Sequence, residues 1–164
     1  MKERKTLVTG IISFAAGALL TLLIAGFVMF QSAPGLMIIE DESPLGYEET
    51  IQAIQSSAAE NGWKVPAVHE IDLSVAKAGY DVLPVSVIEL CHPDHAARIL
   101  KEDNARVVAS MMPCRVSVYE TSDGRVIVSR MNTKLVSQVF GGLVQEVMAD
   151  ASVESEEILS AVLP

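Results

Sequence analysis

The sequence predicts an α+β domain, with a largely antiparallel sheet and helices packed on one of its faces, preceded by one N-terminal transmembrane helix. Three observations predict this arrangement. Residues 6–30 contain no Asp, Glu, Lys or Arg. Short runs rich in Val and Ile alternate with helical patterns through residues 37–164. A Ser-Asp-Gly turn at 122–124 joins two of those runs as a hairpin.

The uncharged segment, which begins at Thr6 and ends at Phe30, is the most apolar window of the chain. Its 25 residues are enough to cross a hydrocarbon core of about 30 Å as a helix. A cleaved signal peptide has a shorter apolar core of about 7–15 residues, and QSA at 31–33 is a poor cleavage site. We therefore expect a tail at 1–5, an uncleaved anchor at 6–30 and a linker at 31–36.

The flanks of this segment predict its orientation. Lys2, Arg4 and Lys5 precede it, whereas residues 31–60 contain no Lys or Arg. Because positively charged flanks stay in the cytoplasm, we expect a single-pass protein of the inner (cytoplasmic) membrane. Its N-terminus would be cytoplasmic, and residues 37–164 would form a periplasmic or extracellular domain.

The exported part of the chain is acidic. Residues 6–164 hold 9 Lys and Arg against 20 Asp and Glu, a net charge of −11. Such a surface repels nucleic acids and anionic lipid headgroups, so neither is expected as a partner. The sequence also has no glycine-rich phosphate loop, nucleophile elbow or HExxH motif. These observations favour a binding or accessory module over an enzyme, with a small ligand or an envelope protein as its partner.

The first half of the domain predicts strands and helices in alternation. A helix is expected from Tyr47 because apolar residues recur every three or four positions through Ala58, and Gly62 supplies a left-handed stop. Pro66 cannot donate to a sheet ladder, so its strand is expected at an edge. The other elements of this half are strands at 35–40, 63–71 and 82–90 and a short helix at 72–78.

The second half predicts a hairpin followed by helices. Pro93 starts the helix that follows the strand at 82–90, since proline is tolerated at the first helical position. Apolar pairs recur every four residues from Leu135 to Met148 and predict one long helix, with Gly141 and Gly142 as a weak point. The remaining elements are strands at 106–110, 114–120 and 125–130 and a short final helix at 154–163.

The two cysteines of the chain frame the helix that Pro93 starts. Cys91 follows the strand at 82–90, and Cys114 begins the strand at 114–120. Two cysteines in a small exported domain most often form one structural disulfide, and closing this loop stabilises a fold by about 3 kcal/mol. We therefore expect a disulfide beside a cleft for a ligand or a partner.

Two other interpretations of the cysteines stay open. A redox or sulfur-handling thiol pair is favoured because Cys91 precedes a helix whose dipole lowers a thiol pKa, and because Arg115 adjoins Cys114. A soft-metal site is favoured because thiolate, thioether and imidazole groups together suit copper(I) or zinc. The candidate metal ligands are Cys91, Cys114, His92, His95 and Met112.

The domain carries four short motifs, ESP at 42–44, NGW at 61–63, ELCHP at 89–93 and MPCRV at 112–116. Their order and spacing resemble the domain-of-unknown-function family 302 from about residue 37 to the end of the chain. The resemblance implies a TATA-binding-protein-like α+β fold and a domain that can pair as a homodimer. It implies no catalytic residue, because the activity of that family is not established.

Overall fold

The computed structural model describes residues 2–163. The chain divides into two compact units, one up to Leu36 and one from Met37 onward. Met1, which belongs to the predicted tail, and Pro164 lie outside the described residues.

The first unit consists of a single helix, α1 (Lys2–Met37), which ends at the first residue of the second unit. Its stretch Phe14–Met37 is long and apolar enough to cross a membrane, with a mean hydropathy of 2.0. Length and composition are the only grounds for this statement, and a signal sequence near an N-terminus meets the same criteria. The predicted linker at 31–36 is helical instead, and α1 continues through Pro34.

The second unit is built on one antiparallel sheet. Residues 37–163 contain five strands, in the spatial order first, fifth, fourth, third, second. The predicted α+β class is thereby confirmed, and the strand that follows Pro66 lies at an edge as expected. The strands are β1 (Ile38–Ser43), β2 (Val68–Glu70), β3 (Val85–Leu90), β4 (Cys114–Glu120) and β5 (Val126–Met131).

The helices supply one side of the core. The main cluster of buried side chains joins the second and last helices of the chain to the three central strands, with Ile54, Val118 and Ile158 fully buried. A second cluster lies beneath the helix that Pro93 starts. The helices of this unit are α2 (Tyr47–Glu60), α3 (Ile71–Ala76), α4 (Pro93–Leu100), a 3₁₀ helix (Arg106–Met111), α5 (Thr133–Ser137) and α6 (Gly142–Leu159).

The strand register decides which side chains face the helices. Val118 of β4 lies opposite Val128 of β5 and Ser86 of β3, and all three side chains are buried. Since side chains alternate along a strand, their neighbours Ser117 and Ser129 point to the other face of the sheet.

The strand predicted at 106–110 is wrong, because this segment forms the 3₁₀ helix. Its buried residue Val108 packs with Ile99 and Val147 in the second cluster instead of joining the sheet. Only three of these five residues are apolar, and so short a run has too little periodicity to separate a strand from a helical turn.

The long helix predicted from Leu135 is interrupted. Gly141 has φ +69° and Gly142 has φ +54°, backbone angles that end α5 and its following turn before α6 begins. The final helix predicted at 154–163 is the C-terminal part of α6, which continues to Leu159.

Candidate functional site

A cavity of about 60 Å³ lies at the end of the sheet where β3 finishes and β4 begins. Its walls come from these two strand ends, from α4, from the 3₁₀ helix and from α6. Since a single water needs about 10–15 Å³, this space can hold a small ligand or a few waters.

The cavity gathers most of the sulfur and imidazole groups of the chain. It is lined by both cysteines, four of the seven methionines and two of the three histidines. Among the residues that the structure describes, no Asp, Glu, Lys or Arg lines it. The sulfur and imidazole residues are Cys91, Cys114, Met111, Met112, Met131, Met148, His92 and His95.

Antiparallel pairing of β3 with β4 brings the two cysteines to the same end of the sheet. Cys114 lies opposite Leu90, the last residue of β3. Cys91 comes next and forms an isolated bridge with Lys64, with N–H···O distances of 2.8 and 2.9 Å between the two backbones.

The structure does not form the expected disulfide, since Cys91 and Cys114 are both free thiols. The register supplies the physical reason. Cys114 pairs across the sheet with Leu90 and not with Cys91, so the two cysteines are offset by one residue, although both line the cavity. Disulfide geometry requires Cβ atoms within about 3.5–4.5 Å of each other, which this offset does not favour.

Burial raises the pKa of the Cys114 thiol above its usual 9.0, and the nearby Cys91 raises it further. Cys114 is therefore protonated at neutral pH, whereas the redox interpretation expected Arg115 to lower a thiol pKa. Arg115 is exposed and lies 3.6 Å from the carboxylate of Glu89, away from the cavity lining.

The two histidines lie side by side against a buried tryptophan. The rings of His92 and His95 are 4.8 Å apart, and Trp63 is 5.7 Å from the first and 6.1 Å from the second. Nδ1 of both histidines is buried without a hydrogen-bond partner. Nε2 of His95 lies 3.0 Å from Glu154 without the alignment of a hydrogen bond. A buried nitrogen without a hydrogen-bond partner destabilises the fold. A ligand that bonded to these nitrogens would remove that cost.

Most of this domain matches one known family. A model described as "Domain of unknown function DUF302" matches residues 39–162. The chain belongs to the DUF302 family. The resemblance seen in the sequence motifs is therefore confirmed, and the cavity lies wholly inside the DUF302 domain.

A solved structure supports the fold of this DUF302 domain. The crystal structure of an uncharacterized conserved DUF302 protein from Bacillus stearothermophilus is similar, with a TM-score of 0.69 and 22% sequence identity. The match covers 77% of this chain and 98% of that chain. At this identity the likeness shows the fold alone. No functionally curated protein matches the chain.

The DUF302 cavity brings together all five candidate metal ligands: Cys91, Cys114, His92, His95 and Met112. Among the described side chains, however, no three of His, Cys, Asp and Glu converge in the manner of a metal site. The third histidine, His69, lies outside the cavity, 3.1 Å from Glu89.

The sequence did not identify every residue of this site. Met131, at the end of β5, and Met148, in α6, also line the cavity, as does Trp63. Trp63 belongs to the NGW motif, but Met131 and Met148 are distant from Cys91 along the chain, and no local motif distinguishes these two methionines from core residues. Only the packing of α6 against the sheet brings them together.

The raised pKa of Cys114 predicts a loss of stability at alkaline pH. The unfolded thiol ionises at a lower pH than the folded one, so the free energy of unfolding should be insensitive to this group below about pH 8.5 and should fall above it. Urea denaturation at pH 7 and pH 10 measures the fall. Cys114→Ala should show a smaller fall, because it lacks the Cys114 ionisation. Some fall should remain, since burial also raises the pKa of Tyr47, which titrates in both proteins. Equal falls in the two proteins would contradict the prediction.

Proposed function

We propose that the chain is a membrane-anchored, extracytoplasmic binding module and that the sulfur-lined cavity is its ligand site. The observation that carries this proposal is the gathering of both cysteines, four methionines and two histidines around a cavity free of charged side chains. Thiolate and thioether ligands select soft metals such as copper(I), and imidazole accepts copper or zinc. Copper(I) is therefore the first ligand to test and zinc the second.

The proposal places α1 across the inner membrane, with the N-terminus in the cytoplasm and the DUF302 domain in the periplasm or outside the cell. The basic residues before the apolar segment and their absence from 31–60 support this orientation. A TATA-binding-protein-like arrangement of the domain and its pairing as a homodimer belong to the same proposal, since the family resemblance implies both.

Copper(I) suits the free thiols better than zinc does. Zinc sites are almost always four-coordinate, whereas two thiolates can hold copper(I) with a thioether nearby. On binding, Cys91 and Cys114 would each lose a proton and form one sulfur–copper bond. The raised pKa of Cys114 then predicts tighter binding as pH rises toward that pKa, because metal and proton compete for the sulfur.

The direct test is a titration of the full chain in detergent with copper(I), under reducing anaerobic conditions and against a chromophoric chelator. We expect one ion per chain, and an affinity loss of about 100-fold or more in Cys91→Ser and in Cys114→Ser. His69→Ala is the matched control, because it removes a histidine outside the cavity, and it should bind as the unaltered chain does. Equal affinities in all four proteins would refute copper(I) binding here, and a parallel zinc titration shows whether the site prefers the harder ion.

A thiol redox role is the second candidate, favoured by the two free thiols that line one cavity at the same end of the sheet. The two thiols would give two electrons and two protons to a partner disulfide, which would leave as two thiols while Cys91 and Cys114 become bonded. This role predicts that both serine variants stop the exchange with an added disulfide such as oxidised glutathione. It also predicts that chelators leave the exchange rate unchanged.

A further inference from the structure

Glu154 of α6 contacts two side chains of the cavity lining through one of its oxygens. The indole N–H of Trp63 donates to Oε2 of Glu154 at 3.1 Å, and Nε2 of His95 lies 3.0 Å from the same oxygen. Trp63 and His95 line the cavity, whereas Glu154 does not. This carboxylate therefore connects α6 to α4 and to the residues that follow α2.

Trp63 limits where the carboxylate can lie. Trp63 is 3% exposed in the main core cluster, so its indole N–H has a fixed direction and needs an acceptor. The Glu154 side chain is 43% exposed, and a long side chain with that freedom samples several rotamers unless a contact holds it. The hydrogen bond from Trp63 supplies that contact and keeps Oε2 next to His95.

The position of Oε2 decides which ring nitrogen of His95 carries the hydrogen. A neutral imidazole has one N–H and one bare nitrogen. A bare Nε2 would turn its lone pair toward a carboxylate oxygen, which repels it, whereas an Nε2–H is attracted to that charge. The pair lacks the alignment of a hydrogen bond, so this attraction is electrostatic. Nδ1, which is buried without a partner, is then the bare nitrogen.

We propose that Glu154 is a positioning residue of the cavity, which fixes His95 as the Nε2–H tautomer and leaves Nδ1 as the nitrogen that His95 offers to a bound ligand. This role of Glu154 rests on the proposed function of the cavity. Histidines that bind metals usually donate their other ring N–H to a carboxylate or a carbonyl, which orients the ring and strengthens the bare nitrogen as a donor. Within the described part of the chain, no carboxylate pairs with His92.

With copper(I) as the ligand, Nδ1 of His95 adds a nitrogen donor to the sulfurs of Cys91 and Cys114. The described side chains form no ready-made group of three such ligands. Binding must therefore bring Nδ1 and the sulfurs closer together. A ring whose tautomer Glu154 has already fixed makes that movement without relocating its hydrogen.

The first test determines the tautomer by NMR. The full chain is labelled with ¹⁵N at its three histidines and studied in detergent at about pH 8.5, where an ordinary imidazole is neutral. Long-range ¹H–¹⁵N spectra distinguish a bare ring nitrogen from a protonated one, and His69→Gln and His92→Gln assign the signals. We expect a bare Nδ1 in His95. In Glu154→Gln, which keeps an oxygen for the Trp63 N–H but removes the charge, we expect both tautomers.

The second test adds one equivalent of copper(I) under reducing anaerobic conditions. The ion should move the Nδ1 signal of His95 more than its Nε2 signal, and Glu154→Gln should lower the copper(I) affinity about 10-fold or more. The matched control is Glu89→Gln, which removes the carboxylate 3.1 Å from His69 outside the cavity. It should alter the His69 signals alone and bind copper(I) as the unaltered chain does.

Three results would overturn the role of Glu154 while leaving copper(I) binding intact. They are an Nδ1–H on His95 in the unaltered chain, an Nδ1 signal that bound copper(I) leaves in place, and equal copper(I) affinities in Glu154→Gln and the unaltered chain. A chain that binds no copper(I) would instead refute the proposed ligand, and the role of Nδ1 with it. If Glu154→Gln does not fold, the two spectra of the unaltered chain still decide.

Discussion

Trp63→Ala is expected to lower the free energy of unfolding by about 3–5 kcal/mol, the usual cost of removing a large buried aromatic side chain. Trp63 is 3% exposed within the main core cluster. Its indole N–H donates to Glu154 at 3.1 Å, and its ring supports both histidines of the cavity. Urea denaturation followed by circular dichroism measures the loss.

Two further variants separate the reasons for this effect. Trp63→Phe keeps an aromatic ring but loses the bond to Glu154, so it should cost about 1–3 kcal/mol. Tyr80→Ala removes an exposed aromatic residue and should stay within about 0.5 kcal/mol of the unaltered chain. If Trp63→Ala and Tyr80→Ala had the same effect, Trp63 would not be the core residue described above.

Arg130→Ala is the second change with a large expected effect, about 2–3 kcal/mol of lost stability. The Arg130 side chain is only 9% exposed. Its guanidinium donates to Glu156 of α6 at 2.6 and 2.8 Å and to Asp41 of β1 at 2.7 Å. Burial opposes the charge of Arg130, but these carboxylates outweigh burial and raise its pKa. The substitution leaves two carboxylates without their shared cation and disconnects β1 from α6.

The comparison for Arg130 is Arg98, which also pairs with two carboxylates, those of Glu146 and Asp150. That group lies at the surface, where solvent and salt screen ion pairs. Arg98→Ala should therefore cost less than Arg130→Ala, because the Arg130 side chain is 9% exposed and that of Arg98 is 37% exposed. We expect 0.5 M NaCl to reduce both losses, since Asp41 and Glu156 are each 43% exposed. A larger loss at Arg98 than at Arg130 would contradict this ranking of the two clusters.

Local periodicity was enough to predict much of the domain. The α2 helix was predicted from the spacing of Ile51 and Ile54, and the structure places both in the core. The strand at 114–120 was predicted from alternation, and β4 has those limits. In α2 and in β4 the pattern of buried residues agrees with the local sequence preference. The residues of each element are therefore enough to predict its type.

Where local sequence and tertiary packing compete, prediction failed. The segment around Val108 has the apolar residues of a strand, but it forms a 3₁₀ helix. Val108 then packs with Ile99 of α4 and Val147 of α6. The break before α6 depends on positive φ angles at Gly141 and Gly142, which a hydrophobic repeat does not reveal.

The residues of the cavity likewise divide into those that the sequence predicted and those that only the fold brings together. Cys91, His92 and His95 were candidates because they are close in sequence, and they line the cavity together. Met131 and Met148 reach it only through the fold. The disulfide was expected from composition and compartment, but the pairing of Leu90 with Cys114 offsets the two cysteines by one residue.

The most direct test of the cavity as a soft-ligand site is thiol counting by intact mass on the full chain, purified anaerobically without reductant or chelator. We predict two thiols that alkylate in denaturant without prior reduction, and that one equivalent of copper(I) protects both in the native protein. Cys91→Ser should leave one thiol that copper(I) protects poorly. Thiols that alkylate only after reduction, or that alkylate equally with and without copper(I), would contradict the account.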